Sequence, residues 1–360
     1  MRIALLNLQY DTNYGGHLQR YALMTVLQKM GHDVTHLNLR FNFDSDPLYR
    51  KVLNAGKRCL KNCLSNQKTD VFLEYHAQKK YEKSCALTDP FYNRYIKHTP
   101  LINSKKGLSC QTGYDAYLVG SDQVWRKTIA DFYGIDTYFF DFIPESNKVK
   151  RVAYGASLGV AENELQEEDI KRLTPLYQRF SAVSVREDSG LALLKQYGWN
   201  QPQPSLVLDP TLLLTSDDYL ELINDGTSTP SEGSMFCYIL DPTDEKEELL
   251  RSFEKTKGLK VFYASDDNSH KPPIQQWIRS FYDSEFVVTD SFHGMVFSII
   301  FNKPFKLIYN PFRGNARFDS LMKLLQIPNK TELIDWNVVN DNLLQKRKES
   351  IQFLQEAFQI

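Results

Sequence analysis

No two cysteines in this sequence are spaced Cys-x-x-Cys, no long apolar run interrupts it, and it carries no low-complexity tract. Its five cysteines (Cys59, Cys63, Cys85, Cys110 and Cys237) are an odd number without zinc-ligand spacing. That argues against a disulfide framework or a structural zinc site and for buried thiols in a reducing compartment. Cys59 and Cys63, at i and i+4, share one helix face, a spacing that suits packing. Nothing approaches the roughly 20 apolar residues that span a bilayer. The run 3–8 behind Met1-Arg2 is too short for a signal-peptide core, so a soluble cytoplasmic protein is expected. The formal net charge is −1, which leaves no global field to draw in nucleic acid or an acidic surface. Gly-x-Gly-x-x-Gly and the Walker lysine are both missing, so a dinucleotide or P-loop site lacks support. What is present is 42% hydrophobic and 13% aromatic residues in 360, enough for folded cores and a length that suits two domains.

Residues 3–8 read as a buried parallel strand, 17–30 as an amphipathic helix closed by Gly31, and 34–39 as the next strand, a β-α-β opening. Residues 47–97 look helical. Strands are expected at 114–119, 149–156, 182–185 and 205–208, with helices at 165–180 and 188–197. The polar stretch 215–234, with Asp225-Gly226 and Pro230, has the composition of a boundary or surface insert. A second alternation follows, with strands at 235–240, 259–264, 286–289 and 304–308, helices at 273–282 and after His293, and a helical tail at 337–358. The pattern implies an α/β chain of two doubly wound, Rossmann-like domains, residues 1–210 and 211–336, with a C-terminal helix in 337–360. Ligands of such pairs favour the cleft between domains.

Polar residues gather where strands end. In Val288-Thr-Asp-Ser-Phe-His-Gly294 a buried strand meets a buried helix, which places Asp290, Ser291, Phe292 and His293 at the carboxyl edge of a sheet. A histidine there can exchange protons near neutral pH, and helix-start amides beside Ser291 can meet an anion. The alternative is a capped helix with a satisfied core histidine. Gly120-Ser-Asp-Gln-Val-Trp125 is a similar turn, in which Asp122 either holds a sugar hydroxyl or caps a helix. Arg186, in Ser184-Val-Arg-Glu187, can fork onto a carboxylate or phosphate, or pair internally. Arg313 and Arg317 sit in a Gly/Asn/Pro loop that suits anion binding or simple solvation. The turn Asn13-Tyr-Gly-Gly16 resembles a phosphate cradle only loosely. Finally, Arg50, Lys51, Lys57, Arg58 and Lys61 interleave with apolar residues, and no acid falls between Asp46 and Asp70. This reads either as a membrane-interface face or as a solvated helix face.

Taken in order, these segments resemble the polysaccharide pyruvyl transferase family. The matching elements are Asn13-Tyr-Gly15 with Leu18-Gln19 and Tyr21-Ala-Leu23, Gly120 to Trp125, Tyr138-Phe-Phe-Asp-Phe142, Ala153-Tyr-Gly-Ala-Ser157, Ser184 to Glu187, Leu208-Asp-Pro-Thr-Leu212, Thr289 to Gly294 with Phe297-Ser298, and Asn302-Lys-Pro-Phe305. Each is short, but eight in family order are hard to reach by chance.

The resemblance implies a GT-B-like fold with the active site in the interdomain cleft, the first domain on the acceptor side, the second on the donor side, and a last helix that can cross back to the first domain. It implies transfer of a pyruvyl unit from phosphoenolpyruvate to two hydroxyls of one sugar of a capsular, exopolysaccharide or wall glycan. From the residues themselves no required cofactor, no metal site and no nucleic-acid partner is expected, with a loosely held magnesium left open. A lipid-linked acceptor and peripheral contact with the inner face of the membrane are left open. By the same resemblance His293 and Asp122 are the catalytic candidates. Arg186, Ser291, Phe292, Arg313 and Arg317 would bind the donor, and Asn13, Tyr14, Gln19, Ser121 and Gln123 the acceptor, with Asp122 and Gln123 either facing the acceptor sugar or orienting the donor. Some members carry Arg-Leu where this chain has Ser291-Phe292, so the lost arginine would be replaced by Arg313, Arg317 or helix-start amides. The competing readings are a GT-B glycosyltransferase using a nucleotide sugar and a non-catalytic glycan-binding protein of the same fold.

Overall fold

The computed structural model describes residues 1–65, 68–264, 271–309, 316–329, 331 and 333–359. The first half runs β1 (Arg2–Leu6), α1 (Tyr14–Lys29), β2 (Asp33–His36), α2 (Leu48–Leu64), α3 (Leu73–Cys85), α4 (Asp89–Tyr95), α5 (Lys105–Ser109), β3 (Ala116–Val119), α6 (Lys127–Ala130), β4 (Lys150–Ala156), α7 (Glu167–Tyr177), β5 (Ala182–Val185), α8 (Asp188–Gln196) and β6 (Ser205–Leu206). After α9 (Ser216–Ile223) come β7 (Met235–Tyr238), α10 (Asp244–Lys257), β8 (Val261–Phe262), α11 (Ile274–Asp283), β9 (Phe286–Thr289), α12 (Phe292–Ile300), β10 (Phe305–Leu307), α13 (Ala316–Leu325) and α14 (Trp336–Phe358).

Two parallel sheets result. The first has the order β2-β1-β3-β4-β5-β6 and the second β8-β7-β9-β10. Both are wound alike: the first strand lies inside, the second beside it, and the third crosses to the other flank. Each sheet therefore has a switch point, between β1 and β3 and between β7 and β9, where the following loops diverge and leave a crevice at the carboxyl ends. The strands are continuous apolar runs because helices cover both faces. Val287 and Val288, for example, are fully buried.

One hydrophobic cluster runs from Leu5 and Leu18 through Leu212 to Trp277, Phe297 and Leu354, so the core is continuous across both sheets. α14 crosses between them. Its Asn342 donates to Leu325 O at the end of α13 (3.3 Å), whereas Ser350 Oγ accepts from Leu208 N beneath the first sheet (3.0 Å).

Two expectations need correcting. The stretch 215–234 is not all insert. Thr215 and Asp218 form a reciprocal capping box that starts α9, and Tyr219, Leu222 and Ile223 are buried. The cysteines are not all buried either. Cys85 and Cys237 are, but Cys59, Cys63 and Cys110 are exposed. For Cys59 and Cys63 the reason is that α2 turns its polar side to the body of the protein.

Candidate active site

The two switch points open onto one cleft of about 520 Å³, lined from the first sheet by Asp11–Gly15, Asp122 and Gln123 and from the second by Tyr238, Leu240, Asp290–His293 and Arg317. α1 and α12 both point their amino-terminal ends into it. Asn13 caps α1 through Gly15 N (3.1 Å), and Ser291 caps α12 through Gly294 N (3.3 Å). The uncapped amides and dipoles of these two ends favour negative charge.

His293 lies where the helix starts meet. A methyl group on Gly15 would stand 2.0 Å from its Nδ1, so only glycine lets the ring lie against α1. Its Nε2 is buried without a hydrogen-bond partner among the described residues and lies 4.0 Å from Asp209 Oδ2. Burial pushes its pKa down to about 4: desolvation dominates, Asp209 resists and Arg186 adds to it. The ring is therefore neutral near pH 7 rather than poised at that pH, as the sequence suggested.

Behind His293 sits a buried charge network. Arg186 donates to Asp209 (2.6 Å) and to Asp122 (2.9 Å), with Glu187 Oε2 3.7 Å from its Nε. Asp209 also accepts from Gln19 Nε2 (2.6 Å) and Thr211 Oγ1 (2.7 Å). Desolvation works against ionisation of Asp122 and Asp209, but the positive charge of Arg186, among other groups, outweighs it, and both carboxyls lie below their ordinary value. The ring of Phe292 lies 5.2 Å from the Arg186 guanidinium and 5.3 Å from that of Arg317. Arg317 itself is pushed down to about 10, first by desolvation and then by Arg186.

Of the residues expected from sequence, His293, Asp122, Ser291, Phe292, Arg317, Asn13, Tyr14 and Gln123 line the cleft. Three do not fit their expected roles. Arg186 is sealed behind the wall with its donors on carboxylates, so it orders the network instead of forking onto a ligand. Gln19 is fully buried and holds Asp209, and Ser121 is fully buried and donates to Gly155 O (2.8 Å). Neither reaches an acceptor. Asp290 caps no helix. It accepts from Leu240 N (2.7 Å) and Lys246 Nζ (2.8 Å), tying down the loop after β7. The Tyr14 hydroxyl donates to Pro272 O, bridging the two halves. Arg313 lies outside the described residues.

Sequence reasoning passed over Asp209, although its Asp-Pro step after a strand was in view, and also Asp11 and Lys271. Asp11 faces the cleft, and its carboxyl is pushed above its ordinary value, chiefly by desolvation against the pull of Arg20. Lys271 reaches Thr12 O (3.2 Å) at the cleft rim. Among the described residues no group of three or more His, Cys, Asp or Glu could hold a metal ion, and no helix is long and apolar enough to cross a membrane.

The sequence model of the family described as polysaccharide pyruvyl transferase matches residues 13–310. No curated protein matches the chain. Among solved structures, the chain is similar to the UDP-GlcNAc 2-epimerase from Neisseria meningitidis bound to UDP-GlcNAc, at 10% identity and a TM-score of 0.51 over 99% of this chain and 100% of that one. It is also similar to a protein described as a UDP-N-acetylglucosamine 2-epimerase from Listeria monocytogenes, at 11% identity and a TM-score of 0.50 over 98% of this chain and 90% of that one. At these identities the likeness concerns the fold, which is GT-B-like.

Proposed function

The chain belongs to the polysaccharide pyruvyl transferase family, and on that premise we propose that it moves the enolpyruvyl unit of phosphoenolpyruvate onto two hydroxyls of one glycan sugar. The product is a cyclic pyruvate ketal of a surface polysaccharide, with phosphate released. The observation that carries this reading is His293, a neutral imidazole that lines the cleft at the meeting point of two helix starts.

The donor bears a carboxylate and a phosphate, which suit the amides of α1 and α12 and the cations Arg317 and Lys271 that face the same cleft. A proton adds to the methylene carbon, and the neighbouring carbon becomes oxocarbenium-like. A sugar hydroxyl forms a bond to that carbon and gives up its proton. The carbon–oxygen bond to phosphate breaks, and a second hydroxyl closes the ring. Two hydroxyl protons are lost, one balancing the new methyl group and one leaving with phosphate, so no redox partner is needed. His293, held neutral, takes a hydroxyl proton first. Asp11, the cleft carboxyl with the raised pKa, is the group suited to protonate the methylene carbon. Arg186, Asp122 and Asp209 fix the charge behind the ring.

A second cavity of about 380 Å³ shares Tyr14, Tyr238, Leu240 and Lys271 with the cleft and adds Tyr263 and Trp277. Aromatic faces there suit the apolar face of an acceptor sugar.

The test is phosphate release from phosphoenolpyruvate with galactosyl, mannosyl and N-acetylhexosaminyl glycosides, lipid-linked ones included. Release is expected only when donor and acceptor are both present, and not from His293→Ala folded protein. Hexosyl transfer from a nucleotide sugar without phosphoenolpyruvate turnover would overturn the reading for a glycosyltransferase. Glycan binding without turnover, indifferent to His293→Ala, would overturn it for a binding protein.

A further inference from the structure

α2 is amphipathic in the reverse sense of an ordinary surface helix. At 100° per residue, Leu48, Tyr49, Val52, Leu53, Leu60 and Leu64 fall with Cys59 and Cys63 on one half of the helix, and every charged residue falls on the other. The polar half faces the body of the protein. Lys51 pairs with Asp44 (2.9 Å), Arg58 donates to Glu74 Oε2 (2.6 Å), and Asn62 Oδ1 accepts from Thr69 N (2.7 Å). The apolar half is left to solvent. None of the helix is buried, and Leu48, Leu60 and Leu64 are 77%, 67% and 88% exposed. Several large apolar side chains are thus left in water, which points to a surface that covers them.

We infer that α2 lies in the interface of an anionic lipid bilayer, its apolar half among the acyl chains and its basic border among the headgroups. Charge selects this occupant. Lys57 and Lys61 are exposed on the polar half beside the apolar arc, and no acidic residue lies between Asp46 and Asp70 to neutralise them; Arg50, on the same border, is exposed and lies 3.9 Å from Asp46. Long basic side chains at such a border reach headgroup phosphates while their stems lie along the apolar face. A second copy is disfavoured, because a twofold pair would bring two such Lys57 and Lys61 borders together with no acid between them. Phe72 and Tyr75 are also exposed where α3 begins, and aromatic rings suit such an interface. The inference does not depend on the reaction in the cleft, and it would bring the enzyme to membrane-borne acceptors.

The test is sedimentation of the full chain with vesicles of phosphatidylcholine, alone or with about one-third phosphatidylglycerol. Binding is expected to the anionic vesicles, weaker at high salt, and lost in Leu53→Glu with Leu60→Glu. Lys57→Glu with Lys61→Glu should weaken it at least about tenfold, since each basic residue near the surface accounts for roughly fivefold. A second measurement avoids any folding defect in these variants: an environment-sensitive dye on Cys59, with Cys63 and Cys110 replaced by serine, should shift to the blue when anionic vesicles are added. Protein that stays in the supernatant, binds both vesicle types equally, or leaves the dye unchanged would overturn the inference. So would an oligomer in solution that Leu53→Glu with Leu60→Glu dissolves without any vesicle binding.

Discussion

Gly15 decides whether His293 can stand where it does. Gly15→Ala would place a methyl group 2.0 Å from Nδ1, whereas at Gly16 the nearest atom to such a group is 3.7 Å away. Steady-state turnover should fall at least about tenfold in Gly15→Ala, as a displaced catalytic group loses its alignment, and stay near wild type in Gly16→Ala. Equal activity in the two would show that the ring has room to spare. Asp209 answers for the buried charge. Asp209→Ala leaves Arg186 with Asp122 and Glu187 only, and urea unfolding should report a loss of about 3 kcal/mol or more. A loss below about 1 kcal/mol would mean water reaches the network. At this scale the sequence showed which turns carry polar residues but not which side chains face the cleft. Arg186, Gln19 and Ser121 end strands or line a helix as ligand-binding residues do, yet each is buried against a partner far along the chain. Only tertiary packing brings Asp209 beside His293.

Two helix starts, those of α1 and α12, meet at the cleft. Ser291 Oγ holds Gly294 N and so fixes the turn that presents His293. Ser291→Ala should lower stability by about 1 kcal/mol, the usual value of a lost cap, and raise the KM for the anionic donor more than it lowers kcat. A fall in kcat alone would place the serine in the chemistry instead. The strands at 182–185 and 286–289 were legible to the residue, because buried parallel strands read as short apolar runs between turns. α9 was hidden by its polar, turn-like surroundings, and its signal was the Thr215-x-x-Asp218 box. The amphipathic pattern of α2 was plain, but which half faced outward was not. Periodicity gives a stripe, and only the partners Asp44, Glu74 and Thr69 give it a direction.

For the molecule as a whole, two sheets of one winding face each other so that a single cleft takes loops from both switch points. The alternation of strands and helices conveyed this much, because a doubly wound domain repeats its pattern along the chain. A global property follows from the histidines packed into it. Burial holds His17, His36 and His293 neutral, each below the ordinary value of 6.5. The unfolded chain therefore binds protons before the folded one as pH falls. The stability this represents is complete above pH 6.5 and declines as pH drops toward the folded value of about 4 for His293, by about 3 kcal/mol for that residue alone. Urea midpoints across that window should fall steeply, and His293→Gln should flatten the slope. A midpoint independent of pH would contradict the burial of these rings.

The most direct test of the account is the mass spectrum of the glycan product formed from phosphoenolpyruvate in deuterated water. Protonation of the methylene carbon on the way to a ketal predicts one non-exchangeable deuterium in the new methyl group. A product without that deuterium, one that keeps an enol ether, or a glycan that gains a hexose instead would contradict it.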